Sequence, residues 1–165
     1  MEDIEDSPSE EHVLNMDIAK MRRDVLQDEY SLHLQKVLSD FQYIEEALKF
    51  YISVAYRRIR EKVSPELHFK YGDDDIEKDA LGKLIEKFER VSDEPDLVRR
   101  LRDVQPKRNK YAHQGFLVDF SPKVPDGKLK PLIAELVALR ETTKALIGTL
   151  FKLLLKFVDG RTDIV

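Results

Sequence analysis

The chain has 165 residues, of which 42% are hydrophobic and 36% charged, with no Cys, no Trp, six Gly and seven Pro. This length fits one domain with a tail. The absence of cysteine excludes a disulfide framework, thiolate metal sites and a thiol nucleophile, and the scarcity of turn formers argues against an all-β sandwich. The formal net charge of −4 is unevenly spread: residues 1–11 carry six acids and no base, whereas residues 99–110 carry six bases and one acid. Such a cationic segment attracts polyanions, although a charge run on a helix is more often a solvated face.

In chain order, residues 1–11 are of low apolarity and include Ser7-Pro8-Ser9, so an acidic disordered tail is expected there, followed by a single helical domain over 12–165. The opening MEDIEDSPSE has neither a basic n-region nor an apolar core, so no secretory signal is expected and the cytoplasm is the expected location. From His12, apolar residues recur at helical spacing (Leu14, Ile18, Met21, Val25). Leu34, Val37, Leu38, Phe41, Ile44 and Leu48 begin a stripe that continues to Val63 and predicts a helix of about eight turns, ending before Ser64-Pro65. Whether 12–30 and 32–63 make one helix or two is open.

Leu67–Tyr71 and Phe116–Phe120 alternate with period two and predict a small two-stranded patch. Gly72 and Asp73–Asp75 open a further helix with Leu81, Leu84, Ile85 and Phe88 on its apolar face. A short helix beginning near Pro95 carries Leu97, Leu101 and Val104. Pro106 should interrupt it, and a second segment should run to a C-terminal cap at Gly115. Pro122, Pro125, Asp126-Gly127 and Pro131 mark a loop before a last helix from about Leu129 to Val158. The core is expected between that helix and Leu34–Val63. Ala145–Val158 is the most apolar stretch, but Lys152 and Lys156 interrupt it, so a buried helix is expected and not a membrane anchor. The fold class is therefore all-α, a bundle of two long antiparallel helices and shorter ones, with room for a tiny β patch.

The common phosphate loops and the HExxH and GxSxG motifs are absent. Of four histidines, His12, His33 and His68 stand in settings of structural or solvent-exposed residues. His113 differs, because it ends the string Arg108-Asn109-Lys110-Tyr111-Ala112-His113. On a helix Asn109 and His113 share a face, while Arg108 points about 140° away from His113. Either Arg108 reaches round the helix or a second subunit completes the site. With Pro106 near a helix start, free backbone N–H groups would also favour an anion. An imidazole, a guanidinium and a carboxamide suit phosphate chemistry without a metal or other cofactor.

This string resembles the catalytic motif of the HEPN superfamily (higher eukaryotes and prokaryotes nucleotide-binding domains), in which Arg, often followed by Asn, precedes His by four to six residues on a late helix of a small α-bundle. The likeness covers roughly residues 32–160, and only the Arg-Asn…His string is specific. It implies a metal-independent endoribonuclease acting as a homodimer, in toxin–antitoxin, phage-defence or RNA-processing settings, with an antitoxin or regulatory protein as a further partner. It implies a catalytic set of Arg108, Asn109 and His113. Around it, Arg102, Lys107 and Lys110 would track the RNA backbone and Tyr111 would stack a base. Many HEPN toxins place Tyr two residues after the motif His; this chain has Gly115, so control by nucleotide addition to that Tyr is not implied. Two other readings stand beside this one. In the first, His113 and Asn109 are structural and Arg108 makes a salt bridge. In the second, the chain is a non-catalytic HEPN module for dimerisation or nucleotide binding.

Overall fold

Between Glu10 and Lys62 the sequence has no proline and no glycine. In the computed structural model, which describes residues 10–120 and 126–159, this whole stretch is one helix, α1 (Glu10–Lys62, 53 residues). A 3-10 turn (Asp73–Asp75) then leads to α2 (Leu81–Val91), α3 (Pro95–Phe120) and α4 (Asp126–Asp159). Among the described residues all the regular structure is helical.

The inward stripe of α1, from Tyr30 through Leu34, Phe41 and Leu48 to Ile52, is buried, and so are Leu136, Leu139, Leu146 and Leu150 of α4. These two helices form the main contact of the fold, with α2 and α3 packed on them and on each other. α4 runs parallel to α1, which corrects the expected antiparallel pairing of the two long helices: residues 130, 143 and 157 of α4 lie beside residues 21–25, 40 and 51–58 of α1, and the long connection through α2 and α3 returns the chain to the start of α1. Near its start, Lys130 borders a groove with Met21 and Val25. Near its end, Phe157 stacks on Tyr51 at 4.4 Å and lies under the Arg58 guanidinium at 4.1 Å. A polar tie in the middle joins them: Thr143, fully buried, donates to Asp40 at 2.8 Å.

Several expectations are corrected. Among the described residues there is no strand. Leu67–Tyr71 is an irregular connection whose alternation has another cause: Phe69 and Tyr71 both pack on Tyr56 of α1, at 5.6 and 5.7 Å. Phe116–Phe120 is the end of α3. The three aspartates make only a 3-10 turn, held by Gly72 donating to Asp75 at 2.7 Å, and α2 begins six residues later. Pro131 lies inside α4. Pro122 and Pro125 lie outside the described residues, as does the acidic tail up to residue 9; residues 10 and 11 already belong to α1.

α3 is one helix and not two, with Pro106 inside it. A proline there removes a backbone hydrogen bond to the carbonyl four residues earlier. Both Pro106 and Arg102 are exposed, so water can take that carbonyl, while Leu101, Val104 and Tyr111 keep the helix packed on either side. Gly115 is likewise not a cap. It is buried within α3, and a Cβ there would come within 2.6 Å of Leu34 Cδ1. The Tyr30 hydroxyl donates to its carbonyl at 3.0 Å.

Two glycines should respond to alanine with opposite sign. At Gly82 the neighbour is the Gln105 side-chain amide, 2.5 Å from an added Cβ, and Gln105 is half-buried and can swing away. Gly82→Ala should therefore be neutral or stabilising, by up to about 1 kcal/mol from helix propensity. At Gly115 the neighbour is the fully buried Leu34, so Gly115→Ala should destabilise by about 1–3 kcal/mol despite the same propensity gain. Urea denaturation of the two variants checks both signs.

Candidate nucleic-acid site on the third helix

Arg108, Asn109 and His113 all stand on α3, and the helix sends them in different directions. Arg108 turns inward, with its side chain 25% exposed, and its Nε donates to Glu45 Oε1 of α1 at 2.9 Å. With Leu38, Phe41, Gln42 and Ala112 this pair lines a pocket of about 170 Å³ between α1 and α3. Asn109 and His113 are exposed on the solvent side. One chain therefore keeps Arg108 apart from His113, as the helical angle requires.

The expected helix start near Pro106 is corrected. α3 begins at Pro95, so the amides around the motif are bonded within a continuous helix and offer no anion nest. The motif's chemistry rests on its side chains.

The surrounding residues divide. Arg102 is exposed and paired with Glu89 of α2 at 2.5 Å. Lys110 is paired with Glu135 of α4 at 3.1 Å, and Lys107 is exposed close enough to the same carboxylate to lower its pKa. The cationic segment is thus partly neutralised by acids from two neighbouring helices. Such exposed pairs are weak and exchange readily for a phosphate. Tyr111 is the exception to its expected role. Its spacing from Val104 and Gly115 puts it on the packed face, where it is 2% exposed, so its ring offers no face to a base.

Tyr111 instead supports the site from beneath. Its hydroxyl oxygen is buried without a hydrogen bond of regular geometry, close to the Glu135 carboxylate. Burial and that carboxylate push the phenol well above its usual range, so it stays neutral at any physiological pH. For Glu135, burial alone would raise the pKa. The Lys110 and Tyr111 contacts and the charge of Lys107 outweigh it and hold the carboxyl below the usual range.

Glu45 and Glu135, the acids that position Arg108 and Lys110, are not singled out by the sequence. Glu45 lies off the apolar stripe of α1, as solvated residues do, and its partner is 63 residues away. No group of three or more His, Asp or Glu among the described residues could hold a metal ion, and no helix is long and apolar enough to cross a membrane. Comparison of the chain with protein-family models, with curated proteins and with solved structures finds no match in any of the three.

The Arg108–Glu45 pair should behave as one unit. Removing either partner strands a half-buried charge, so Glu45→Ala and Arg108→Ala should each cost about 1–3 kcal/mol. The double variant should cost less than the two single losses together, with a coupling of at least about 0.5 kcal/mol in a denaturation cycle.

Proposed function

We propose that this chain is a HEPN-type endoribonuclease whose cleft is completed by a second copy. The observation that carries the reading is the division of the motif: His113 and Asn109 open to solvent on the outer face of α3, and Arg108 anchored by Glu45 in the pocket beside it. A guanidinium held by one Nε bond keeps its terminal nitrogens for two phosphate oxygens, the geometry at which arginine excels. Glu45 thus orients Arg108.

In this reading the RNA 2′-oxygen attacks the adjacent phosphorus. The P–O5′ bond breaks, leaving a 2′,3′-cyclic phosphate on one product and a 5′-hydroxyl on the other. His113 serves as general base or acid for these proton transfers. Arg108 stabilises the charge that builds on the phosphoryl oxygens, and Asn109 orients the phosphate. Arg102 and Lys110 take the flanking backbone by exchanging their carboxylate partners for phosphates, with the exposed Lys107 beside them. Toxin–antitoxin or phage-defence settings, an antitoxin or regulatory partner, and the cytoplasm as the site of action follow from the HEPN resemblance alone.

One observation favours a second reading, a non-catalytic HEPN module that acts through a protein partner. Arg108 already has a carboxylate partner, and a salt bridge that only ties α3 to α1 would look the same.

Cleavage assays on single-stranded RNA separate the two. The ribonuclease reading expects cleavage that survives EDTA, spares DNA of the same sequence and yields cyclic-phosphate ends. His113→Ala should lower the rate by about 10²–10⁴-fold with the helical content unchanged. Arg108→Lys should fail nearly as badly, because an ammonium lacks the planar fork. RNA left intact by the wild-type chain selects the non-catalytic reading, and cleavage undiminished in His113→Ala refutes the site.

A further inference from the structure

Residues 11–20 of α1 are all exposed, and buried positions begin only at Tyr30. A helical arm of about twenty residues with so little packed against it is marginal in water on its own. Yet this arm is not polar. Leu14 is 60% exposed, Met21 67% and Val25 62%, and Ile18 and Leu32 are exposed too. In chain order these five recur at steps of four, three, four and seven residues, the spacing of a coiled-coil seam. At 100° per residue they fall within about 60° of one another. Beside the start of α4 the seam borders an open groove of about 640 Å³, lined by Ile18, Met21, Val25 and Leu26 together with Arg22 and Lys130.

The charges beside the seam are uneven. Asp17, Asp24 and Asp28 stand along one flank, all exposed. The other flank is mixed, with Arg22 and Lys130 against Glu11 and Glu29. Residues 1–29 carry ten acids and three bases, although the net charge of the whole chain is only −4. An acidic surface of this kind draws a cationic partner. Two arms of this chain do not suit one another. Parallel, they set Asp28 against Asp28 inside the seam and Asp24 beside Glu29; antiparallel, they bring the flank of Asp17 and Asp24 onto itself.

We propose that the arm is a docking site for an amphipathic helix of another protein, one with apolar residues at heptad spacing and Lys or Arg along the side that meets Asp17, Asp24 and Asp28. Leu14, Ile18, Met21 and Val25 take the partner's apolar side chains, and the acidic flank selects the sign of its charge. Leu14 to Leu32 spans about 27 Å, so a partner helix of about eighteen residues covers the seam. Asp28 interrupts the seam between Val25 and Leu32, and there a partner cation takes the place of an apolar residue.

The docked helix leaves the α3 motif open. Leu38 and Glu45, which line the pocket beside Arg108, stand about 130–150° round α1 from the seam. RNA or a second copy of the chain can reach α3 with the arm occupied. The proposal rests on the seam and its charges, and not on the ribonuclease reading.

Binding of synthetic peptides to the full-length chain tests both the seam and the sign of charge. One labelled peptide has three heptads with Ile and Leu in its seam and Lys on both flanks, where like charges keep it from pairing with itself. A second has Glu in place of Lys. A third has the composition of the first with its apolar residues scattered. Fluorescence anisotropy at about 0.1 M salt should show the first binding at least about tenfold tighter than either of the others. Asp17→Lys with Asp24→Lys should reverse the preference between the lysine and glutamate peptides. Met21→Arg with Val25→Arg, at two exposed positions, should abolish binding of the lysine peptide with circular dichroism unchanged. The same pair should leave the oligomeric state of the free chain as it is in the wild type. No binding of the lysine peptide, equal binding of the lysine and scattered peptides, or a preference that survives the exchange at Asp17 and Asp24 overturns the proposal. So does a changed oligomeric state in Met21→Arg with Val25→Arg, which puts a second copy on the seam. Because no readout uses RNA, failure here is distinguishable from failure of the ribonuclease reading.

Discussion

The close approach of α3 to α1 at Gly115 decides where everything on α3 ends up. Leu34 fills the space where a Cβ would be, and Tyr30 bonds the glycine carbonyl from the adjacent turn. With that contact made, α3 has one height and one rotation on α1. Tyr111 must then be buried, Arg108 must meet Glu45, and Asn109 and His113 must face out. A larger residue at 115 would push the helix off Leu34 and misplace the Arg108 pocket together with the packing.

The division of roles along α3 follows from that rotation. Its inner face stabilises through apolar burial, which is where most of the folding free energy of such a bundle arises. Its outer face carries charges whose pairs with Glu89 and Glu135 are exposed and contribute little to stability. Arg108 lies between these two regimes. It is buried enough for its charge to need a partner, and open enough at the pocket for a ligand oxygen to approach. A residue in that position can serve the fold and a phosphate at once.

The sequence displayed the architecture well where periodicity was long. The seam from Leu34 to Ile52 and the stripe from Leu132 to Leu154 identified the two core helices, because burial on one side leaves a regular pattern. It misled where a local signal was overridden by packing. Pro106 and Gly115 read as breaks, but α3 runs through both, held at Gly115 by Tyr30 and Leu34 of α1. The alternation at Leu67–Tyr71 reflected aromatic packing on Tyr56 and not a ladder. For the site, the string from Arg108 to His113 was legible from spacing, including the divergence of its ends. Glu45 and Glu135 were not, since a carboxylate off an apolar stripe looks the same whether it faces water or a partner far along the chain. The apolar spacing from Leu14 to Val25 was visible in the sequence, but that Leu14 and Met21 are more than half exposed needed the fold to be known.

The divergence of Arg108 and His113 within one chain makes a shared cleft the central claim. Mixing two inactive variants tests it directly. A heterodimer of Arg108→Ala with His113→Ala retains one intact pairing of an arginine from one chain with a histidine from the other. If the cleft is shared, co-refolding the two variants should restore RNA cleavage that neither shows alone, to a level below the wild type. If each chain works alone, every heterodimer carries two broken sites, and a mixture as inactive as its components, with heterodimer demonstrably formed, would contradict the shared cleft.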